Sequence, residues 1–258
     1  MIFIGQENIK TELNYILSDI RNGINHNILF RAPSGYGKTR LGFLCMVSLG
    51  GLTECDYCIP KDGMIFFNEK KRIHFIDEVH TLANPEEIYP YLDSEKFTFF
   101  LMSNESGSLK EPLRRRCIQL IFSKYTDEEL ARIVDLYLPN SPEILIKNLI
   151  GFSPGEIKVI CDRLSIISRN GNIQLNEENS LNLLNNILNI KDGLTNLEEV
   201  YMNYLRTVKI SSLNNIIGST HLDKETVLFE IEPRLLYNGL ISITSRGRKI
   251  KEQNESND

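Results

Sequence analysis

The sequence predicts an α/β fold built on a parallel sheet, followed by a helical region and a small helix-and-hairpin domain. Three observations support this. An apolar run, Asn27-Ile28-Leu29-Phe30, leads directly into Ala-Pro-Ser-Gly-Tyr-Gly-Lys-Thr at 32–39. Strand-like and helix-like segments then alternate to about Phe122, the pattern of a parallel sheet covered on both faces. The chain closes with three helical segments and two short strands flanking Ser245-Arg246-Gly247-Arg248, the order of a winged helix.

The elements follow in order. Ile9, Leu13, Ile16, Leu17 and Ile20 mark one face of an opening helix. The apolar run at 27–30 reads as a buried strand. Residues 32–39 then have the composition of a phosphate-binding loop, with a strand before and a helix after. Glycine at 35 and 37 permits the dihedrals and close approach by which backbone N–H groups wrap phosphates. Ala32, Pro33, Ser34, Gly35, Tyr36, Gly37, Lys38 and Thr39 are therefore the candidate nucleotide-binding residues. Lys38 would reach the β- and γ-phosphates, and the Thr39 hydroxyl would hold Mg²⁺. Ala32 stands where the usual pattern has its first glycine.

Ile73-His74-Phe75-Ile76-Asp77-Glu78 is a short apolar strand ending in two carboxylates. Asp77 suits the magnesium, and Glu78 would orient and polarise the attacking water. Phe97 to Asn104 is a further apolar run, and Asn104 at its end could hydrogen-bond the γ-phosphate or the water. Pro112-Leu113-Arg114-Arg115-Arg116 groups three guanidiniums before a last strand at 118–122. An arginine held at a subunit edge can neutralise charge on a neighbour's γ-phosphate. In this order and spacing the set indicates a nucleoside-triphosphatase of the AAA+ class, with ATP and Mg²⁺ as the expected ligands.

Composition sets bounds on the reading. A chain of 258 residues with 41% hydrophobic content can form one sizeable core and smaller additional domains. No apolar stretch approaches the roughly 20 residues that a membrane span needs. The start has no basic region or cleavage site of a secretory signal, so a cytoplasmic location is expected. The net charge of −5 confines any nucleic-acid contact to a local surface. Cys55-x-x-Cys58 offers only two of the four ligands that a structural zinc site needs, so that pattern reads as buried free thiols, and the five cysteines together indicate a reducing compartment.

Three domains and a tail are expected: an AAA+ P-loop domain over 1–123, a helical lid over 124–191, a winged helix over 192–251 and a disordered tail at 252–258. The lid begins with Thr126-Asp-Glu-Glu129, a capping box. Ser141-Pro142, Ser153-Pro154-Gly155-Glu156 and Asn176 open its other helices, the last carrying Leu181, Leu184, Ile187 and Leu188. In the winged helix, segments near 194–207, 212–217 and 223–237 precede the hairpin. Val227, Ile231 and Leu235 form the buried stripe of the third. Arg246, Arg248, Lys249 and Lys251 lie on or beside the wing, where they could meet DNA phosphates.

Along nearly its whole length the chain resembles RuvB, the motor family of Holliday-junction branch migration. The resemblance rests on Phe3-Ile4-Gly5-Gln6-Glu7, the loop at 32–39, Phe75-Ile76-Asp77-Glu78-Val79-His80 and Pro112-Leu113-Arg114. It is most specific from Glu232-Pro233-Arg234-Leu235 through Gly239-Leu240 to Ser245-Arg246-Gly247-Arg248. It implies an ATP-driven hexamer that encircles and translocates duplex DNA. By the same resemblance Ile4 lines the adenine pocket, Asp77 and Glu78 are the catalytic acids, Asn104 takes the first sensor position and Arg114 is the finger.

Three departures accompany the likeness. RuvB proteins carry a longer segment before the Ile-Gly-Gln box. The stretch between Leu92 and Thr98 is too short for the hairpin by which RuvB meets its loading partner RuvA. Ser153-Pro154-Gly155 stands where RuvB has Thr-Pro-Arg, so the second sensor arginine is missing, with Lys158 a turn further on as a substitute. Arg116-Cys117 also resembles the finger of clamp-loader ATPases, which makes Arg116 an alternative finger. A third reading is a DNA-bound scaffold that uses ATP for assembly and hydrolyses it weakly.

Overall fold

Helix α1 (Glu7–Arg21) buries Ile9, Leu13, Ile16, Leu17 and Ile20, the stripe expected from the sequence. It is the first element of a computed structural model that describes residues 2–104 and 109–251. The tail at 252–258, expected to be disordered, lies outside the described residues. The chain divides into two compact units, Met1–Glu129 with Ser153–Gly155, and Leu130–Phe152 with Glu156–Asp258.

In the first unit, β1 (Asn27–Ala32) is followed by α2 (Lys38–Ser48), β2 (Cys55–Cys58) and β3 (Ile73–Ile76). A four-residue helix, α3 (Tyr89–Leu92), then precedes β4 (Thr98–Asn104), α4 (Glu111–Arg115) and β5 (Ile118–Ile121). The five strands form one sheet in the order β2-β3-β4-β1-β5, with every pair parallel. Ile28, Leu29 and Phe30 are fully buried, as is β4 from Thr98 to Ser103, the unbroken burial of strands covered on both faces. Phe75 and Phe100 stack at 4.4 Å on adjacent strands. The register sets Ala32 beside Asn104 and Ile76 beside Leu101, bringing the carboxyl ends of β1, β3 and β4 to one edge. Strand order reverses at β1, which is where parallel sheets open a ligand crevice.

Strand β2 is a finding, because four residues reading Cys-Asp-Tyr-Cys carry no periodic signal. It accounts for the Cys-x-x-Cys pattern: Cys55 and Cys58 are buried in the sheet as free thiols. Burial pushes Cys55 up to about 11 and Cys45 and Cys161 up to about 12, so these thiols stay protonated near neutral pH. No group of three metal-ligating side chains occurs among the described residues.

Helix α5 (Asp127–Tyr137) starts at the expected capping box: Thr126 N–H donates to Glu129 Oε2 at 2.9 Å, and Glu129 N–H donates to Thr126 Oγ1 at 3.2 Å. Helices α6 (Glu143–Leu149), α7 (Pro154–Gly171) and α8 (Glu177–Leu183) follow. Asn176 caps α8, its Oδ1 accepting from Asn179 N–H at 2.8 Å. The helix continues through a wider π turn, Leu184–Leu188. That turn shifts the buried face: Leu183, Leu184 and Leu188 are inside, while Ile187, expected inside, is 48% exposed.

A small hairpin, β6 (Ile190–Lys191) and β7 (Leu194–Thr195), leads into α9 (Asn196–Val208), which opens on a second capping box formed by Thr195 and Glu198. Next come β8 (Ile210–Ser211), α10 (Leu213–Thr220) and α11 (Lys224–Thr226). The chain continues through a π turn (Val227–Ile231) into α12 (Glu232–Tyr237), then β9 (Ile241–Thr244) and β10 (Gly247–Ile250). Three helical segments and a three-stranded sheet in the order β8-β10-β9 make the expected winged helix. Its core contains Tyr201, Leu205, Ile216, Val227, Ile231 and Leu235.

Two ion pairs are buried in this second unit. Arg234 meets Glu198, lies over the Phe152 ring with its guanidinium carbon 3.7 Å from the centroid, and donates to Gly193 O at 3.3 Å. Arg248 donates to both oxygens of Glu232 at 2.8 and 3.2 Å, and Tyr201 Oη donates to the same carboxylate at 2.9 Å. Arg248 was expected to face DNA from the wing. The structure turns it inward instead, because Glu232 is only 3% exposed and needs a counter-charge. Arg248→Ala would strand that carboxylate, so a loss of about 3 kcal/mol in the second unit's stability is expected in urea unfolding. Arg246→Ala, at the exposed tip, should stay within about 0.5 kcal/mol, and equal midpoints for the two variants would refute the structural role of Arg248.

Candidate active site

Strand β1 ends at Ala32 and α2 begins at Lys38, so residues 33–37 form the turn at the sheet edge. Gly35 and Gly37 have φ of +79° and +89°, which ordinary side chains resist. Tyr36 turns inward: its ring packs edge-on to Tyr125 at 5.6 Å, and its carbonyl accepts from Tyr125 Oη at 3.0 Å. Pro33 is half-buried and Ser34 exposed. Lys38 is 6% exposed and donates to Ala32 O at 2.8 Å, Pro33 O at 2.9 Å and Asn104 Oδ1 at 2.8 Å.

The acidic side is equally ordered. Asp77 Oδ2 accepts from Thr39 Oγ1 at 2.7 Å and from Tyr57 Oη at 3.0 Å, while Oδ1 accepts from Glu78 N–H at 2.9 Å. Asn104 Nδ2 donates to Glu78 Oε2 at 3.3 Å, and His80 Nε2 stands 3.2 Å from the same oxygen. With Lys38 on one side and a carboxylate on the other, only this amide orientation of Asn104 satisfies both. The structure therefore brings together Lys38, Thr39, Asp77, Glu78 and Asn104, which lie up to 66 positions apart in sequence.

The donor set fits the expected ligands. Thr39 and Asp77 supply the hard oxygens that Mg²⁺ takes alongside water and phosphate. Lys38 and the amino end of α2 favour the phosphate charge. Two participants escaped sequence reasoning. Tyr57 holds Asp77 from the neighbouring strand, stacked at 4.9 Å on Phe43, and its phenol is pushed well above its ordinary pKa by burial and then by Asp77. His80 lay within a quoted motif, but nothing in the motif assigns it a partner.

The amino-terminal box lies against this loop. Gln6 exchanges two hydrogen bonds with the Ser123 backbone, both at 2.8 Å, and Phe3 meets Phe122 edge-on at 6.4 Å. Ile4, between them, is 8% exposed. A methyl group on Gly37 would come within 3.1 Å of the Phe3 ring, which shows how closely the box approaches the phosphate loop.

The three adjacent arginines have different surroundings. Arg115 pairs with Glu111 on its own short helix. Arg116 donates through Nε to both Asp93 oxygens at 2.8 and 3.1 Å, through Nη1 to Pro112 O at 3.0 Å, and lies over the Tyr89 ring. Arg114 Nε is buried without a hydrogen-bond partner among the described residues.

Gly155 stands where the family resemblance leads one to expect the second sensor. Its N–H donates to Gly35 O at 2.8 Å, and a methyl group on it would fall 2.9 Å from Gly35 Cα. An arginine could not replace it without moving the phosphate loop. Lys158, the expected substitute, pairs with Asp162 at 2.7 Å on its own helix.

Residues 191–254 match the family described as the RuvB C-terminal winged helix domain. The chain is 29% identical to the Holliday junction branch migration complex subunit RuvB of Mycoplasmopsis pulmonis, over 97% of this chain and 93% of that one. It is 27% identical to the same subunit of Campylobacter fetus, over 95% and 83%. Among solved structures it superposes on the Thermotoga maritima RuvB Holliday junction branch migration motor with a TM-score of 0.74 at 24% identity, over 97% of this chain and 93% of that one. A mutant of that protein gives 0.74 at 25% identity over the same shares.

Gly155→Arg should therefore fail to restore a sensor. Displacing packed backbone costs about 1–3 kcal/mol, so binding of a fluorescent ATP analogue should weaken about tenfold. Unchanged or tighter binding would show that the loop accommodates the side chain.

Proposed function

We propose, from the premise that this chain is a RuvB-like AAA+ protein, that it is an ATP-hydrolysing motor acting on duplex or four-way-junction DNA, of the branch-migration type. The observation that carries this reading is the hydrogen-bonded set at one sheet edge: Lys38 to Asn104 to Glu78, and Thr39 to Asp77. Each group has a task in phosphoryl transfer to water. Lys38 neutralises the β- and γ-phosphates, and Thr39 with Asp77 holds Mg²⁺. Asn104 meets the γ-phosphate or the water. Glu78 orients that water for in-line attack, and ADP leaves. Ile4, in the amino-terminal box, lines the adenine pocket.

The finger is Arg114. Arg116 is already committed to Asp93, Pro112 and Tyr89 in its own chain, whereas the Arg114 Nε donor is without a partner among the described residues. That removes the main support for a clamp-loader reading. A finger acts on a neighbour's nucleotide, so the working form is a homo-oligomer, a hexamer by likeness. Only residues 93–97 separate α3 from β4, too few for the partner hairpin, so any loading protein binds elsewhere.

DNA contact falls to the wing. Across 224–237 the exposed residues include Lys224, Glu225, Glu230 and Phe229, the last 72% exposed, so that stretch sets one cation against two carboxylates. Arg246, exposed at the wing tip, and Lys249 beside it are the proposed contacts with the DNA backbone, binding without sequence preference. No helix among the described residues is long and apolar enough to cross a membrane, which agrees with work in the cytoplasm. A scaffold that turns ATP over weakly is the second reading, favoured by Gly155 in place of the sensor arginine.

Steady-state ATP turnover, alone and with linear duplex, four-way-junction or primed DNA, tests the motor. Stimulation by duplex or junction is expected, and low turnover under every condition would favour the scaffold. Glu78→Gln should cut turnover by about 100-fold or more while retaining ATP. Arg114→Ala should lose turnover but bind nucleotide, and mixing it with Lys38→Ala protein should restore activity. No rescue would contradict action between subunits. Arg246→Glu should weaken DNA binding uniformly across sequences and lower the salt slope by about 1.

A further inference from the structure

The catalytic glutamate has a second holder that the assigned motifs do not include. Glu78 sits in the left-handed region at φ 52°, ψ 38°, a conformation that costs a non-glycine residue about 1 kcal/mol or more and persists only where the surroundings impose it. The following turn, Val79–Thr81, imposes it. Val79 is fully buried against Leu29, Ile76 and Leu101, and Thr81 donates to Glu78 O through its N–H at 2.9 Å and its hydroxyl at 2.8 Å. This fold-back returns the His80 ring to the Glu78 side chain, with Nε2 at 3.2 Å from Oε2. The contact is an ion pair when the ring is protonated. Nδ1 is buried with no partner among the described residues, so the Glu78 carboxylate is the charged partner of the ring.

We infer that His80 is a positioning residue for Glu78, holding its Oε2 so that Oε1 meets the lytic water. The inference rests on the ATPase reading of this site. Asn104 holds the same oxygen at 3.3 Å, but its own carbonyl accepts from Lys38. When phosphate takes Lys38, the tie through Asn104 must rearrange. His80 bonds neither the phosphate loop nor Lys38, so its hold on Glu78 persists through the nucleotide cycle. Asn104 thus responds to the nucleotide, and His80 keeps the base in register while it does.

The test uses the full chain and three variants: His80→Ala, His80→Gln and Glu78→Gln. His80→Ala should lower kcat about tenfold or more, the usual effect of losing an outer-shell orienting partner, with unchanged affinity for a fluorescent ATP analogue and unchanged Tm. His80→Gln keeps a side-chain donor and should recover most of kcat. Combining His80→Ala with Glu78→Gln should be no slower than Glu78→Gln alone. Wild-type turnover by His80→Ala would overturn the assignment. So would equal losses in the Ala and Gln variants with weakened nucleotide binding, because that pattern marks a purely structural side chain. If Glu78→Gln itself hydrolyses ATP normally, the active-site reading fails and takes this inference with it. If Glu78→Gln is inactive and His80→Ala is not, only the role of His80 is lost.

Discussion

A lysine ammonium buried to 6% exposure must find oxygen for each of its three protons, and the architecture of the first unit follows from that demand. Lys38 finds the carbonyls of Ala32 and Pro33 and the side chain of Asn104. Two of these lie in the phosphate loop itself, so the loop must curl back over its own lysine, which the positive φ of Gly35 and Gly37 allows. The third lies on another strand. It is in reach because β4 is β1's neighbour in a register that sets Ala32 against Asn104. The β3–β4 register, with Ile76 against Leu101, brings Asn104 to Glu78, so Lys38 and Glu78 are joined through one amide.

The second unit handles charge in the opposite way. Its buried guanidiniums, Arg234 and Arg248, neutralise Glu198 and Glu232 and stack or bond locally. Such pairs are weak contributors to net stability, but each is costly to break from one side. They hold Phe152, Gly193 and the winged helix together: Arg234 reaches both Phe152 and Gly193, and Asn238 donates to Gly151 O at 3.0 Å. The expected boundary between lid and winged helix therefore falls inside a single compact unit. The consequence for binding is a division of labour among cations only two positions apart, with Arg248 structural and Arg246 exposed.

Much of this was legible in the chain because it is local. The stripe of α1, the capping boxes at Thr126 and the cap at Asn176 each depend on residues within a turn or two of one another. So do the phosphate loop and the acidic strand end, where backbone conformation and chemistry share one short segment. Where local geometry changed, the reading failed in a definable way. The π turn at 184–188 rotated Ile187 outward, and the four-residue strand β2 was too short to show a period.

By itself, the sequence determined the fold class and the order of elements, since these follow from spacing along the backbone. Tertiary structure alone decided which residues become partners. It set Tyr57 on Asp77 through the β2–β3 register and His80 on Glu78 through a left-handed residue. It tied Arg116 to Asp93 and laid Gly155 on Gly35. The reason is physical: a hydrogen bond or ion pair is decided over about 3 Å in space. The positions that meet here are separated by as many as 120 residues of chain, a distance over which composition and periodicity carry no record of proximity.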